Sequence, residues 1–433
     1  MLSRGMLLLL FSLKVATAAG TGWSDPEFDK VPFTDWLSGG QQTSLKWSQR
    51  VLPVILSVHQ RLLARIQVQL DGAEAAKRRG EGELVFYFQL TDSQGRAFQD
   101  HTSYDLEKVE AGLKSQDLVC TESVFVLPGE YSVAVAIYDT ATKEHSVKKT
   151  KLHVAPLKVE PLPEAWRDLP AAEFVEPSEG PDHWFLPRIR GKLNLPVTPR
   201  RPLQIEIIAN LTPSEVSARS FGVQDRNFSF LFPSLKVLSQ VDAKDSKTDV
   251  ALIDLARRKV VFRQPDLTGG LDWDRVKTFL SNATSASIDV KSLADRSHNA
   301  AFFVKEVARR VAPSHAVIVL SGPMVFDAPQ DLQGIDLKLA PDSRVYYIRL
   351  QTTPARPPMD ATPLGSNRRR RFGGTGVPRP SEGTETPEDL PVNHRADQLA
   401  PMLKPLDPRL YEVNNADQFR KALAAILTDL STL

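Results

Sequence analysis

Proline crowds one stretch of this chain. Residues 156 to 202 include PLKVEPLPEAWRDLP and LPVTPRRP. A residue that fixes φ and lacks an N–H opposes both a helix interior and a strand ladder, so an extended connector is expected here. The connector divides the 433 residues into two folding units, in keeping with single cores that stop growing near roughly 250–300 residues. Trp166, Trp184 and Phe185 are expected to pin it to a neighbouring surface.

On the N-terminal side of the connector the apolar period is two. ELVFYFQLTD sets Leu84, Phe86, Phe88 and Leu90 on one face, and EYSVAVAIYD does the same with Tyr131, Val133, Val135 and Ile137. Turn signals such as SQG and DTATK separate about seven strands over residues 45 to 155, which predicts an antiparallel sandwich of immunoglobulin-like type. Cys120 is the sole cysteine, so there is no antibody-type disulfide and no cysteine cluster for zinc. Within LVCTESVFVLPG it reads as a small buried residue. Ahead of the sandwich, residues 19 to 44 carry Trp23, Phe28, Phe33 and Trp36 at irregular spacing, the pattern of a segment docking onto a domain surface.

The first residues, MLSRGMLLLLFSLKVATAAG, combine Arg4, an apolar run and the small-x-small Ala16-Thr17-Ala18, a secretory signal over residues 1 to 18. The run is too short to span a bilayer, and no later segment reaches that length. A secreted or periplasmic protein without a transmembrane segment is the expectation. Lys plus Arg number 54 against 52 acidic residues, so no overall field points to nucleic acid, and an unknown protein partner in the envelope or outside the cell is expected instead.

From residue 203 to 433 strands alternate with helices. LQIEIIANL, HAVIVLSGP and SRVYYIRLQ read as buried strands, TDVALIDLARRKVVFRQ as two strands around Ala-Arg-Arg, and SASIDVKSL as a further strand. DWDRVKTFLSNA, HNAAFFVKEVARRVA and NADQFRKALAAILTDL read as helices, with the second half of NFSFLFPSLKVLSQV. This alternation predicts a doubly wound α/β domain with a mainly parallel sheet. Residues 353 to 396 interrupt it with an aperiodic, Pro-, Gly- and charge-rich insertion.

The order of QIEIIANLTPSEVS, DVALIDLARRKVVF, LTGGLDWDRVKTFL, HAVIVLSGP and RLYEVNNADQFRKALAAI resembles a von Willebrand factor A-type (vWA) domain over residues 203 to 433. The whole layout is similar to the secreted vWA-related proteins common in acidobacteria. That resemblance implies a Rossmann-like fold with a cation held by an Asp-x-Ser-x-Ser loop, a Thr from a second loop and an Asp from a third. The first loop corresponds here to Asn210-Leu211-Thr212-Pro213-Ser214, and the third to Ser321-Gly322-Pro323, with Gly322 where the Asp would stand. No Thr of the second loop can be placed near LADRSHN.

Mg²⁺ dehydrates reluctantly and Ca²⁺ wants several oxygens, usually with carboxylates among them. Asn210, Thr212 and Ser214 offer neutral oxygens, neither carboxylate of the motif is present, and nothing in the spacing requires Asp327 in MVFDAPQD to swing in. A degenerate, metal-free loop is therefore expected, with Mg or Ca disfavoured as cofactors. Short polar residues there equally cap the turn. Ser321 lacks the Gly-x-Ser-x-Gly setting of a nucleophile, although His298 and His315 are candidate bases. Arg368, Arg369, Arg370 and Arg371 form a basic patch that offers contact with an anionic partner or a protease, balanced in a solvated loop by Glu382, Glu385, Glu388 and Asp389. The leading expectation is a non-enzymatic protein-binding or scaffold protein. A metal-dependent adhesion domain with altered ligands and an extracytoplasmic hydrolase at Ser321 are the alternatives.

Overall fold

The computed structural model describes residues 22–39, 45–108, 117–175, 189–212, 223–285, 296–326, 328–332, 335, 337–351 and 397–433. The signal segment, Ser214, Asp327, Trp184, Phe185, the Arg368–371 run and the 353–396 insertion lie outside these residues, as does most of SASIDVKSL.

Helix α1 (Phe33–Gly39) precedes strands β1 (Trp47–Leu56) and β2 (Leu62–Leu70), the short helix α2 (Gly72–Lys77), and strands β3 (Glu83–Asp92), β4 (Ala97–Asp105), β5 (Leu118–Val126), β6 (Gly129–Asp139) and β7 (His145–Val154). All pair antiparallel, β1 with β2 and β2 with β5 in one sheet, and β4-β3-β6-β7 in the other. Period-two burial follows from the pleat: Leu84, Phe86, Phe88, Leu90, Val133, Val135 and Ile137 meet Ile66, Val68, Val124 and Val126 between the sheets. Cys120 joins this core, and burial pushes its thiol up to about 12. Tyr131 opens β6 and turns its hydroxyl back to donate to the carbonyls of Leu127, at 2.9 Å, and Ala171, at 2.8 Å.

The outer face of β3 and β6 is also apolar. Phe28, Phe33 and Trp36 cover Val85, Tyr87, Ala134 and Ala136 there, the Phe28 ring meeting Tyr87 edge-on at 5.0 Å. Trp36 also stacks on His145 at 4.4 Å. The N-terminal segment thus forms a third layer on that sheet.

The proline-dense strap departs from the expectation of a ladder-free connector. Strand β8 (Ala172–Phe174) extends the first sheet by pairing with β5, and β9 (Leu195–Val197) pairs in parallel with β11 (Val241–Ala243). Both are short edge pieces, a setting in which a strand tolerates proline such as Pro196.

The second unit holds β10 (Gln204–Asn210), helix α3 (Val223–Leu238), β12 (Lys247–Asp254), β13 (Lys259–Gln264), α4 (Trp273–Ser285), α5 (Asn299–Ala308), β14 (His315–Ser321), β15 (Arg344–Leu350), α6 (Leu399–Leu403), β16 (Arg409–Val413) and α7 (Ala416–Leu430). Its six-stranded sheet runs β13-β12-β10-β14-β15-β16, with β13 alone antiparallel. Successive residues of the central strands feed two cores. Ile205, Ile207, Ile318 and Ile348 meet α3 and α7 on one face, while Ile208, Val317, Val319 and Tyr347 meet α5 and α6 on the other. Helix starts follow local sequence: Asp272 Oδ1 accepts the Arg275 amide at 3.0 Å, and at α7 Asn415 Oδ1 accepts the Gln418 amide while Gln418 Oε1 accepts the Asn414 amide.

The units meet at a closed node. The Arg420 guanidinium, 1% exposed, donates to Glu160 Oε1 at 2.7 and 2.9 Å and lies 4.6 Å over the Trp166 ring. Trp166 Nε1 donates to the Gln60 carbonyl at 2.7 Å, and the Gln60 amide reaches the Ala416 carbonyl at 3.1 Å. A sandwich hairpin, the strap and the start of α7 are thereby joined through one buried cation.

Candidate functional site

Open parallel sheets offer ligands the carboxyl ends of their strands. Here β10 ends at Asn210, β12 at Asp254 and β14 at Ser321, side by side in the sheet. The structure brings Asn210 and Ser321 into contact: the Asn210 amide nitrogen donates to Ser321 Oγ at 2.9 Å. Asn210 Oδ1 accepts the Thr212 amide at 3.0 Å, an Asx turn, and Ser321 Oγ donates to the Gly322 carbonyl at 2.7 Å. Thr212 Oγ1 accepts the Leu255 amide at 2.6 Å and stands 3.5 Å from Asp254 Oδ1. Asn210 and Ser321 are buried, and Thr212 and Gly322 are half-buried.

Three residues that sequence reasoning passed over complete the arrangement. Asp254 is held by Arg257, whose Nη1 donates to it at 2.6 Å and whose amide does so at 3.1 Å. Tyr347 hydroxyl donates to Asp397 Oδ2 at 3.0 Å, and burial first, then Asp397, push that phenol well above its ordinary range. Asp397 also accepts the amides of Met324, at 2.9 Å, Leu399, at 3.2 Å, and Ala400, at 3.3 Å. It staples the loop after β14 to the start of α6. The signal for it was Asp-Gln-Leu-Ala ahead of an apolar run, a helix-start pattern.

These residues do not fit a divalent cation. Asp254 is the carboxylate at Thr212, and an Arg side chain holds it. The Asn210 carbonyl oxygen is committed to a backbone amide, and its nitrogen, a donor, faces Ser321. A hard cation would have to displace each of these partners. Among the described residues, one group of acidic and histidine side chains is close enough to share an ion, Asp25, Asp100 and His101, and it sits on the sandwich with Asp25 already paired to His101 at 2.5 Å.

Neither histidine weighed as a base for Ser321 lies beside it. His315 opens the same strand, about 20 Å away at ~3.3 Å per residue, and contacts the Arg310 carbonyl at 2.8 Å. His298 contacts Ser297 at the start of α5. Among the described residues no helix is long and apolar enough to cross a membrane.

No known protein family matches this chain, and no curated protein matches it. Among solved structures, the chain is similar to a Northeast Structural Genomics Consortium target solved by X-ray crystallography, at 14% identity and a TM-score of 0.18, covering 28% of this chain and 95% of that one. A Bordetella pertussis protein described as ApaA shows 11% identity and a TM-score of 0.18, covering 28% of this chain and 99% of that one. Superpositions this slight define no fold.

Proposed function

We propose that this chain is an extracytoplasmic, non-enzymatic interaction or scaffold protein, an immunoglobulin-like sandwich joined to a vWA-like domain that works without a metal. The observation that carries the proposal is the hydrogen-bond chain Thr212–Asn210–Ser321–Gly322 at the strand ends, where a cation would need free oxygens. The vWA-like reading draws support from a mostly parallel sheet with one antiparallel edge strand, and the immunoglobulin-like reading from the two antiparallel sheets and the Tyr131 corner. The half-buried residues at 211–212 and 322–323 then offer a surface to a protein partner, and the basic 368–371 run belongs to the same domain in sequence.

The test is thermal unfolding of residues 19 to 433 in chelator and in millimolar Mg²⁺, Ca²⁺ or Mn²⁺, because native-state binding raises stability by mass action. An unchanged melting temperature is expected. A rise that disappears in Asn210→Ala would overturn the proposal in favour of metal-dependent adhesion, the second reading, which rests on the Asp254 carboxylate beside Thr212.

A further inference from the structure

A cleft of about 400 Å³ lies away from the strand-end circuit. Its walls come from the strap at Gly191–Leu193, the end of α3 at Lys236 to Gln240, strand β11, and the Gly269-Gly270 turn leading to Trp273. Lys236 is half-buried, and among the described residues its Nζ has no hydrogen-bond or ion-pair partner. A half-buried ammonium without a counter-ion carries a desolvation cost that a bound negative group would offset.

The surrounding charges do not supply it. Arg61 and Lys277 stand within electrostatic reach of Lys236, as does one carboxylate, Glu173. That carboxylate is already taken: it pairs with Arg61 and accepts the amides of Arg190, at 2.5 Å, and Gly191, at 3.2 Å. His59, on the neighbouring hairpin, also faces Lys236 and stays neutral. At the exposed rim Lys192 is set against Asp242 and Asp266, and Asp266 binds its own turn through Thr268. The interior is thus positive while the mouth carries carboxylates. That arrangement admits one compact negative group and repels polyanions. Ser239, Ser246 and Thr248 bring hydroxyl groups to the walls, and the half-buried Trp273 brings a flat apolar one.

We propose that this cleft binds a small ligand carrying a single oxyanion, a carboxylate or phosphate, on Lys236, with a flat or apolar body against Trp273. Such a ligand gives Lys236 a counter-ion that no described residue supplies. Burial, then Lys277 and Arg61 against the opposing Glu173, bring its ammonium down to about 8, so it is charged at neutral pH and neutral by pH 9.5. The proposal does not depend on the strand-end loops, and its outcome is separate from theirs.

The experiment uses the full chain with sodium benzoate, phenyl phosphate and acetate as probes, each balanced by chloride at constant ionic strength. Thermal unfolding and saturation-transfer NMR of the probe are read together. Expected at pH 7 is a rise of roughly 1–3 °C with benzoate or phenyl phosphate at tenfold over Kd, a smaller one with acetate, and loss of all three at pH 9.5. Which of the two aromatic probes saturates at lower concentration distinguishes carboxylate from phosphate. Lys236→Gln is expected to unfold at a higher temperature than the parent without probe, because the burial penalty is gone, and to give no saturation transfer. Trp273→Ala, which keeps Lys236, is expected to erase the preference for benzoate over acetate. Equal responses in Lys236→Gln and the parent, or no response of the parent to any probe, would overturn the site.

Discussion

Asn210 uses both ends of its side chain, and this makes it a structural residue whatever else the strand ends do. Asn210→Ala leaves Ser321 Oγ without its donor and the Thr212 amide without its acceptor. A loss of about 1–3 kcal/mol is expected, read as a lower urea midpoint at unchanged slope. His59 gives a second residue-scale prediction. Burial first, then Lys236 and Arg61, depress its imidazole to about 3 from an ordinary 6.5. The unfolded chain therefore binds a proton that the folded chain refuses between those values. Stability is fully present above pH 6.5 and declines as pH falls toward 3, by up to about 1.4 kcal/mol per unit. His59→Gln should flatten that decline, and urea titrations at pH 7 and 4.5 compare the slopes. Residue types at strand ends were legible in the sequence, because Asn, Thr and Ser follow an apolar run. Asp397 was legible only as a helix start, since its partners Met324 and Tyr347 are distant in the chain and only folding brings them together.

Among elements, the strands were the most legible, since β3, β6, β10 and β14 each combine length with apolar periodicity. The reading of β3 as one-faced was incomplete. Val85 and Tyr87 are apolar on the opposite face because the segment carrying Phe28, Phe33 and Trp36 covers them. Removing residues 22–39 should therefore expose an apolar patch on that sheet. The truncated protein is expected to bind a hydrophobic dye and to self-associate in sedimentation runs, where the parent does neither. Trp36→Ala, a milder form of the same change, should cost about 3–5 kcal/mol. The strap was misjudged for a different reason. Proline forbids an interior ladder but not an edge of three residues, and edge pairing depends on a neighbour that no local pattern reveals.

At the scale of the whole molecule, the boundary between the two units was visible as a change of period, while their attachment was not. Nothing near Arg420 in the sequence announces Glu160, Trp166 or Gln60 as its surroundings. Because that guanidinium serves both units and the strap, calorimetry of the parent should give a single unfolding transition. Arg420→Ala takes from Glu160 its ion-pair partner and leaves it the Leu162 amide, costs about 1–3 kcal/mol, and should separate the transition into two. One transition at an unaltered temperature in the variant would show that the node does not couple the units.

The strap has a mechanical consequence. A free linker of that composition would straighten toward its limit of about 3.3–3.6 Å per residue under tension before either domain felt the load. Here β8 is hydrogen-bonded along β5 and β9 along β11, so a pull along the strap loads each short ladder in shear and its bonds must fail together. At those two stretches the strap resists extension until its hydrogen bonds break, whereas a free linker would straighten first.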